Sequence, residues 1–312
     1  MKENTEREIN SVHTSVLLNE TIDGLNLKKG SIVLDGTFGG GGHSIEIYKR
    51  YKDVKIIALD QDKSAWSKAK SKFKDLDKDN HLDISFVSIN FRDLDKALEE
   101  TGVDEVDGII FDLGLSSDQL ENAGRGFSFK RDEPLLMTMK EDPKDEDVTA
   151  LDIVNSWDEK NIADIIYGYG EEKFSRRIAR AIVEARNVKE IKTTFDLVSI
   201  LENCLPAVYK RGKLHFATRT FQALRIAVND ELNTLELGLK KGFDALKVGG
   251  RMSVISFHSL EDRIVKNFYK VKKENGEAVL INKKPIIAGT EELKNNPRAR
   301  SAKLRVIEKI NN

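Results

Sequence analysis

Short apolar runs rich in β-branched residues alternate with stretches of helical periodicity along the first third of the chain and return near its end. The runs end in turn or acidic residues and lie at 32–35, 55–60, 84–89, 106–112 and 251–257. Each run is almost continuously apolar, as expected for a strand that is buried on both faces. Helical patterns lie between them at 62–73, where Asp62 is a plausible N-cap, and at 91–101. The alternation predicts an α/β fold with a doubly wound, mainly parallel sheet.

The alternation stops after the fourth predicted strand. Residues 135–213 have helical periodicity and no strand signal, which predicts an all-helical domain inserted into the sheet domain. The sheet domain is then discontinuous and comprises residues 1–134 and 214–312. A long helix from Thr218 to about Leu246 is predicted to lead back to the sheet, and Gly249-Gly250 to end the turn before the fifth strand.

Positive charge is unevenly distributed along the chain. Of the 312 residues, 39% are hydrophobic and 33% are charged, a globular composition that excludes a disordered chain. The net charge of −1 argues against a uniformly basic nucleic-acid-binding protein, yet basic residues are concentrated at 173–192, 210–225 and 298–305. In the first set, Arg176 and Arg180 share one helical face, opposite a face with apolar residues. These segments predict cationic surfaces for a polyanionic partner.

The chain shows no feature of an exported or membrane protein. Met1–Asn10 is polar, and no eighteen consecutive apolar residues occur. The single cysteine, Cys204, cannot form an internal disulfide and offers no ligand cluster for zinc or an iron–sulfur centre. We therefore expect a cytoplasmic protein without a metal site.

The loop after the first predicted strand, Asp35–His43, carries four consecutive glycines. In open parallel sheets ligands bind beyond the carboxyl ends of the strands, and glycines let the backbone approach a ligand closely. A nucleoside triphosphate loop would need a lysine where His43 stands, and the dinucleotide pattern Gly-x-Gly-x-x-Gly fails at Ser44 or Ile45. A nucleoside ligand without a pyrophosphate remains, for which S-adenosylmethionine is the common case.

Acidic and aromatic residues follow the next strands. Asp60 is suited to accept hydrogen bonds from ribose hydroxyls, with an N-cap or a surface charge as the alternative. Phe91 flanks an adenine face or belongs to the core. Asp35 orients the ligand's amino group or fixes the turn, and Asp112 lies where the methyl group would be delivered.

The residue types at the strand ends limit which atom of a base can receive the methyl group. Methylation of a pyrimidine C5 needs a cysteine nucleophile, and Cys204 lies in the helical insert, so this reaction is disfavoured. Methylation of an exocyclic amine needs a carboxylate or carbonyl that accepts a hydrogen bond from the amine N–H. Asp112 is the candidate for this catalytic role, although cofactor binding explains it equally well. His258 either acts on the substrate or is a helix-start histidine paired with Glu261 or backbone, and the second alternative is favoured.

A set of sequence motifs spreads over almost the whole chain. They read HTSVLL at 13–18, DGTFG at 35–39 with GGH at 41–43, DLG at 112–114 with Ser116-Ser117, GRGFSF at 124–129, YGEE at 169–172, ATRTFQALRI at 217–226, ISFHSLEDR at 255–263 and NPRARSAKLR at 296–305. This set resembles the RsmH (MraW) family of small-subunit ribosomal RNA cytosine-N4 methyltransferases.

The resemblance implies a class I S-adenosylmethionine-dependent methyltransferase with an inserted helical substrate-recognition domain. It implies a cytoplasmic enzyme that methylates N4 of a cytidine in the decoding region of 16S ribosomal RNA, within the small ribosomal subunit. Carried over by position, the cofactor contacts fall on Gly41, Gly42, His43, Asp60, Phe91, Asp112 and Gln119. The assignment of Gln119 comes from the resemblance alone.

The chain departs from the family pattern on the substrate side. Where the family reads GPLDMRMD, residues 133–140 read EPLLMTMK, so Leu136, Thr138 and Lys140 replace two acids and an arginine. Phe216 replaces a usual proline. These departures leave the target nucleotide open. The roles of His258 and Arg225 are open as well. Two other functions remain as alternatives: a nicotinamide-dependent oxidoreductase on the same sheet, and a non-catalytic or retargeted ribosome-assembly factor.

Overall fold

The computed structural model describes residues 15–51, 53–76, 82–116, 119–120, 124–140, 143–144 and 146–311. His13, Thr14 and Ser117, which belong to the sequence motifs, lie outside the described residues. In the described part of the chain, no helix is both long enough and apolar enough to cross a membrane.

One sheet organises the molecule. Its strands are β1 Ile32–Asp35, β2 Lys55–Leu59, β3 Asp83–Val87, β4 Val106–Asp112, β5 Leu246–Ser256, β6 Ala278–Leu280 and β7 Lys303–Lys309. The spatial order is β3-β2-β1-β4-β5-β7-β6. Strands β1 to β5 pair in parallel, whereas β7 pairs antiparallel with β5 and β6. The predicted doubly wound, mainly parallel sheet is confirmed.

Helices cover both faces of the sheet and form the insert. Those before the insert are α1 Leu18–Leu25, α2 Gly42–Arg50, α3 Lys63–Leu76 and α4 Leu94–Thr101, with a 3-10 turn at Phe91–Asp93. The insert contains α5 Ala150–Ser156, α6 Glu159–Gly168, α7 Ser175–Arg186, α8 Thr194–Cys204 and α9 Ala207–Lys210. The chain returns through α10 Thr218–Asn229 and α11 Glu231–Asp244, and α12 Ser259–Glu274 and α13 Thr290–Asn295 follow β5, with a 3-10 turn at Pro297–Ser301.

The prediction of one long helix from Thr218 to Leu246 is wrong. Asp230 adopts a left-handed conformation with φ of 49°, which ends α10 and lets α11 start in a new direction. Leu246 already belongs to β5. Gly249-Gly250 lies inside this strand and not in a turn before it, at the point where the pairing of β4 with β5 shifts register.

Strands β6 and β7 were not predicted. The sequence at 298–305 indicates a basic segment, and β7 begins within it at Lys303. Lys303 and Arg305 lie in β7, and both pair with Asp262 of α12, at 3.0 and 2.7 Å. Leu304 and Val306 alternate with them and are buried. The basic residues of this strand therefore neutralise an acid of the protein itself.

The insert has its own apolar core. Ile178 and Ile182 of α7 are fully buried there, whereas Arg176 and Arg180 lie on the exposed face, as the helical pattern predicted. The same apolar cluster also contains Phe127 and Phe221 from the segments that flank the insert. The division of the chain at 135–213 stays a prediction.

Candidate functional site

A cavity of about 330 Å³ opens beyond the carboxyl ends of β1, β2 and β4. Strand register explains why polar residues meet there: Asp35 pairs with Ala58 on one side and with Ile110 on the other, so Asp60 and Asp112 follow at the same level. Six predicted cofactor contacts line this cavity, namely Gly42, His43, Asp60, Phe91, Asp112 and Gln119. The seventh predicted contact, Gly41, is not among the residues that line the cavity.

Close packing explains the glycines of the loop after β1. Gly41 has φ of 73°, and a Cβ added there would lie 2.8 Å from the ring of Phe38. A Cβ on Gly42 would lie 1.9 Å from Ser15 Oγ. α2 begins at Gly42, and Gly41 before it has no side chain to cap the helix, so the N-terminus of α2 lies at the cavity that Gly42 and His43 line.

Asp60 holds the glycine loop against β2. Its Oδ2 accepts a hydrogen bond from the Gly39 amide at 2.7 Å, and its Oδ1 accepts one from the Asp62 amide at 2.8 Å. Burial raises the pKa of Asp60 to about 6, against the opposing effect of these two hydrogen bonds. A carboxylate has about four lone-pair sites, so Asp60 retains acceptor capacity for hydroxyl groups in the cavity. Asp62 itself pairs with Arg125 at 2.7 Å.

Asp35 fixes the turn, which was one of its two predicted roles. Ser44 Oγ donates to its carboxylate at 2.6 Å, and the Thr37 amide donates to it at 3.3 Å. Burial raises the pKa of Asp35 to about 6.

Phe91 is both a core residue and a wall of the cavity. Its ring packs against Phe111 at a centroid distance of 4.9 Å. The ring fits because α11 has a glycine opposite it: a Cβ on Gly238 would lie 2.4 Å from the Phe91 ring. The two alternatives weighed for Phe91 are therefore not exclusive in the structure.

Asp112 lines the cavity and keeps one carboxylate oxygen without a partner among the described residues. Its amide donates to Thr37 Oγ1 at 2.6 Å, and its Oδ2 lies 3.7 Å from His43 Nδ1. Within the described residues its Oδ1 is buried without a hydrogen-bond partner. Burial, and then the nearby charges of Asp35 and Glu261, raise the pKa of Asp112 to about 8.

Gln119 follows β4 in the chain and lines the cavity. Its Oε1 accepts a hydrogen bond from the Ser116 amide, and its own amide donates to Ser116 Oγ, both at 3.1 Å. This reciprocal pair joins Ser116 to Gln119, and both residues line the cavity.

His258 caps α12, the alternative favoured for it from the sequence. Its Nδ1 accepts from the Glu261 amide at 3.4 Å, while Glu261 Oε2 accepts from the amides of Phe257 and His258. Glu231, His258 and Glu261 bring possible ligand atoms within 4.8 Å of one another. Arg225, however, binds both oxygens of Glu231 at 2.7 Å, and its positive charge opposes a metal ion there.

The segment with the sequence departures reaches the rim of the cavity. Met139 lines the cavity together with Asn229, the last residue of α10. Asn229 accepts a hydrogen bond from the Met139 amide and donates one to the Met137 carbonyl, both at 2.7 Å. Neither Met139 nor Asn229 was identified from the sequence, because only the fold brings the two segments together.

A model of the MraW methylase family matches residues 10–310. The chain belongs to this family. A Ruminiclostridium cellulolyticum protein named ribosomal RNA small subunit methyltransferase H is 45% identical over 315 residues, covering 96% of this chain and 99% of that protein. A protein of the same name from Clostridium botulinum is 46% identical over 314 residues, with the same coverage. A solved structure described as a putative rRNA methylase from Clostridium thermocellum has a TM-score of 0.47 and 13% identity, covering 96% of this chain and 100% of that one. The family expected from the motifs is confirmed.

Gly238→Ala tests the close approach of α11 to Phe91. The added Cβ overlaps the ring, so we expect unfolding free energy to fall by about 1–3 kcal/mol, although alanine favours a helix over glycine by about 1 kcal/mol. Gly168→Ala in α6 is the control, because a Cβ there meets no described atom within 4 Å. Urea denaturation measures both. Equal stability of the two variants would show that the ring is not confined by α11.

Asp112→Asn tests the raised pKa of Asp112. The pKa of this carboxyl group rises from about 3.9 in the unfolded chain to about 8 in the folded chain. Because the folded state binds the proton more tightly, the group stabilises the folded state at low pH, and this stabilisation is lost as pH rises towards about 8. Between pH about 6 and 8 the wild type should therefore lose on the order of 1–2 kcal/mol more than the variant. Asp35 and Asp60 titrate mainly below this window. Parallel pH profiles of unfolding would contradict the expectation.

Proposed function

We propose that this protein transfers a methyl group from S-adenosylmethionine to the exocyclic N4 of a cytidine in the decoding region of 16S ribosomal RNA. Membership of a methylase family supports methyl transfer and removes the oxidoreductase alternative. The relatives named as small-subunit ribosomal RNA methyltransferases support the RNA substrate. The observation that carries the finer proposal is the unpaired Oδ1 of Asp112: it has no hydrogen-bond partner among the described residues, and Asp112 lines the cavity.

The cavity fits S-adenosylmethionine, which supplies an electrophilic methyl group on a sulfonium when bound. The glycine loop brings bare backbone to the cavity at Gly39, Gly40 and Gly42. The N-terminus of α2, the positive end of its helix dipole, suits the carboxylate of the amino-acid part. Asp60 retains acceptor sites for the ribose hydroxyls, and Phe91 offers an apolar wall to the adenine. Gln119 and His43 border the same space.

Asp112 is the proposed catalytic residue. The lone pair of an exocyclic amine is delocalised into the ring, and a hydrogen bond from its N–H to a carboxylate makes that lone pair more available. As the N–C bond forms and the C–S bond breaks, the amine must release one proton. The ionised carboxylate of Asp112 would accept this proton. Because burial raises the pKa of Asp112 to about 8, a positive charge nearby, such as a sulfonium, would favour this ionised form near neutral pH.

The proposed partner is 16S ribosomal RNA within the small ribosomal subunit, and the proposed location is the cytoplasm. We assign substrate recognition to the helical insert at 135–213. Arg176 and Arg180 on α7 are exposed, and the ion pair of Arg180 with Glu159 is long, at 3.8 Å. By contrast, Arg225 and Arg305 form close pairs with Glu231 and Asp262, so they are not available for phosphates.

Methyl transfer can be measured with tritiated S-adenosylmethionine and small ribosomal subunits from a strain that lacks the protein. We expect label on a cytidine N4, located by mass spectrometry. Asp112→Asn should lower the transfer rate by on the order of 10² to 10⁴, since asparagine cannot accept the proton. Absence of label with the wild type would favour the non-catalytic assembly factor, and label on another atom would overturn the N4 assignment.

The role of α7 can be tested through the salt dependence of RNA binding. The double variant Arg176→Gln, Arg180→Gln should reduce the slope of log affinity against log salt by about 1 for each phosphate contact removed. Lys29→Gln is the control, because Lys29 is exposed and lies just before β1, at the opposite end of the strands from the cavity. A slope that changes no more in the double variant than in the control would exclude α7 from the RNA interface.

A further inference from the structure

The hydroxyl of Thr234 is a buried polar group that the site described above does not use. Thr234 lies in the first turn of α11, is 4% exposed and lines the cavity. Among the described residues, its Oγ1 has no hydrogen-bond partner. A hydroxyl removed from water without a partner costs free energy, so a group that binds in the cavity and pairs with it would recover that cost.

The helix geometry locates this hydroxyl beside Phe91. Gly238 follows Thr234 by four residues, so the two lie on the same face of α11, one turn apart. The ring of Phe91 occupies the space next to Gly238, within 2.4 Å of where its Cβ would be. Leu235 and Asn90 line the same part of the cavity. The hydroxyl is therefore at the edge of the apolar wall that would receive the adenine.

Two other threonines provide a comparison within the chain. Thr21 and Thr220 are fully buried, and their Oγ1 atoms also have no partner among the described residues. Neither lines the cavity. Thr234 is thus the residue of this group that both lines the cavity and has a hydroxyl without a partner among the described residues.

We propose that the Thr234 hydroxyl hydrogen-bonds the polar edge of the adenine, the edge that carries the 6-amino group and N1. The inference rests on the proposed function, because it takes S-adenosylmethionine as the ligand of the cavity. A hydroxyl can donate and accept, so it can pair with either adenine atom. Phe91 supplies contact with the face of the base, and Thr234 recognises its edge.

Thr234→Val tests the proposal, because valine keeps the shape of threonine and removes the hydroxyl. Calorimetric titration with S-adenosylhomocysteine should show an affinity about 3- to 10-fold weaker than that of the wild type. Thr220→Val, the matched control, should bind with unchanged affinity. Both variants should melt at or above the wild-type temperature without ligand, since each removes an unpaired buried hydroxyl. Thr234→Ser keeps the hydroxyl and should retain most of the affinity.

Two analogues of S-adenosylhomocysteine identify the atom of the base. If the 6-amino group is the partner, an analogue without it should bind wild type and Thr234→Val equally; if N1 is the partner, a 1-deaza analogue should do so. The proposal is overturned if Thr234→Val binds S-adenosylhomocysteine as tightly as the wild type, or if Thr220→Val loses as much affinity. A wild type that does not bind S-adenosylhomocysteine would instead overturn the cofactor assignment.

Discussion

Three carboxyl groups meet at the carboxyl ends of neighbouring parallel strands. Enclosing them costs free energy, because burial disfavours the charged form of each group. Burial raises the pKa values of Asp35 and Asp60 to about 6 and that of Asp112 to about 8. Their nearest partners are amides, the hydroxyl of Ser44 and the imidazole of His43. A cationic ligand such as a sulfonium would favour the charged form of each carboxyl group, so we infer that cofactor binding and ionisation are linked in this cavity.

The topology of the chain brings the helical insert to the same cavity. The chain leaves the sheet directly after Asp112, forms the helical insert, and returns through α10, whose last residue is Asn229. Leu115 lines the cavity and also packs against the core of the insert. A polynucleotide bound along the insert could therefore present one base to Asp112 without a large rearrangement of the sheet domain, which supports the proposed division of labour.

The local features of the site were predictable from the sequence because each is encoded by neighbouring residues. A buried strand followed by Asp35–His43 specifies a close backbone approach, and strand parallelism then brings Asp60 and Asp112 to the same edge. The break at Asp230 was not predictable, since its left-handed conformation depends on the packing of α10 and α11 in the folded chain. Strand β7 was missed because its cations hid the apolar alternation, and Thr234 because an unpaired hydroxyl has no signal in sequence.

The departing residues Leu136, Thr138 and Lys140 lie beside Met139, which lines the cavity, but are not among its lining residues. The path of this segment is held through its backbone: Arg125 donates to the carbonyls of Met139 and Lys140, and the Met137 amide donates to the Arg125 carbonyl at 2.7 Å. The side chain of Asn229 also holds this segment, because it accepts a hydrogen bond from the Met139 amide and donates one to the Met137 carbonyl. Because these bonds do not require particular side chains at the departing positions, the replacements can alter charge at the rim while Asp112 stays in place. We therefore expect these replacements to affect the choice of nucleotide more than the proposed transfer chemistry.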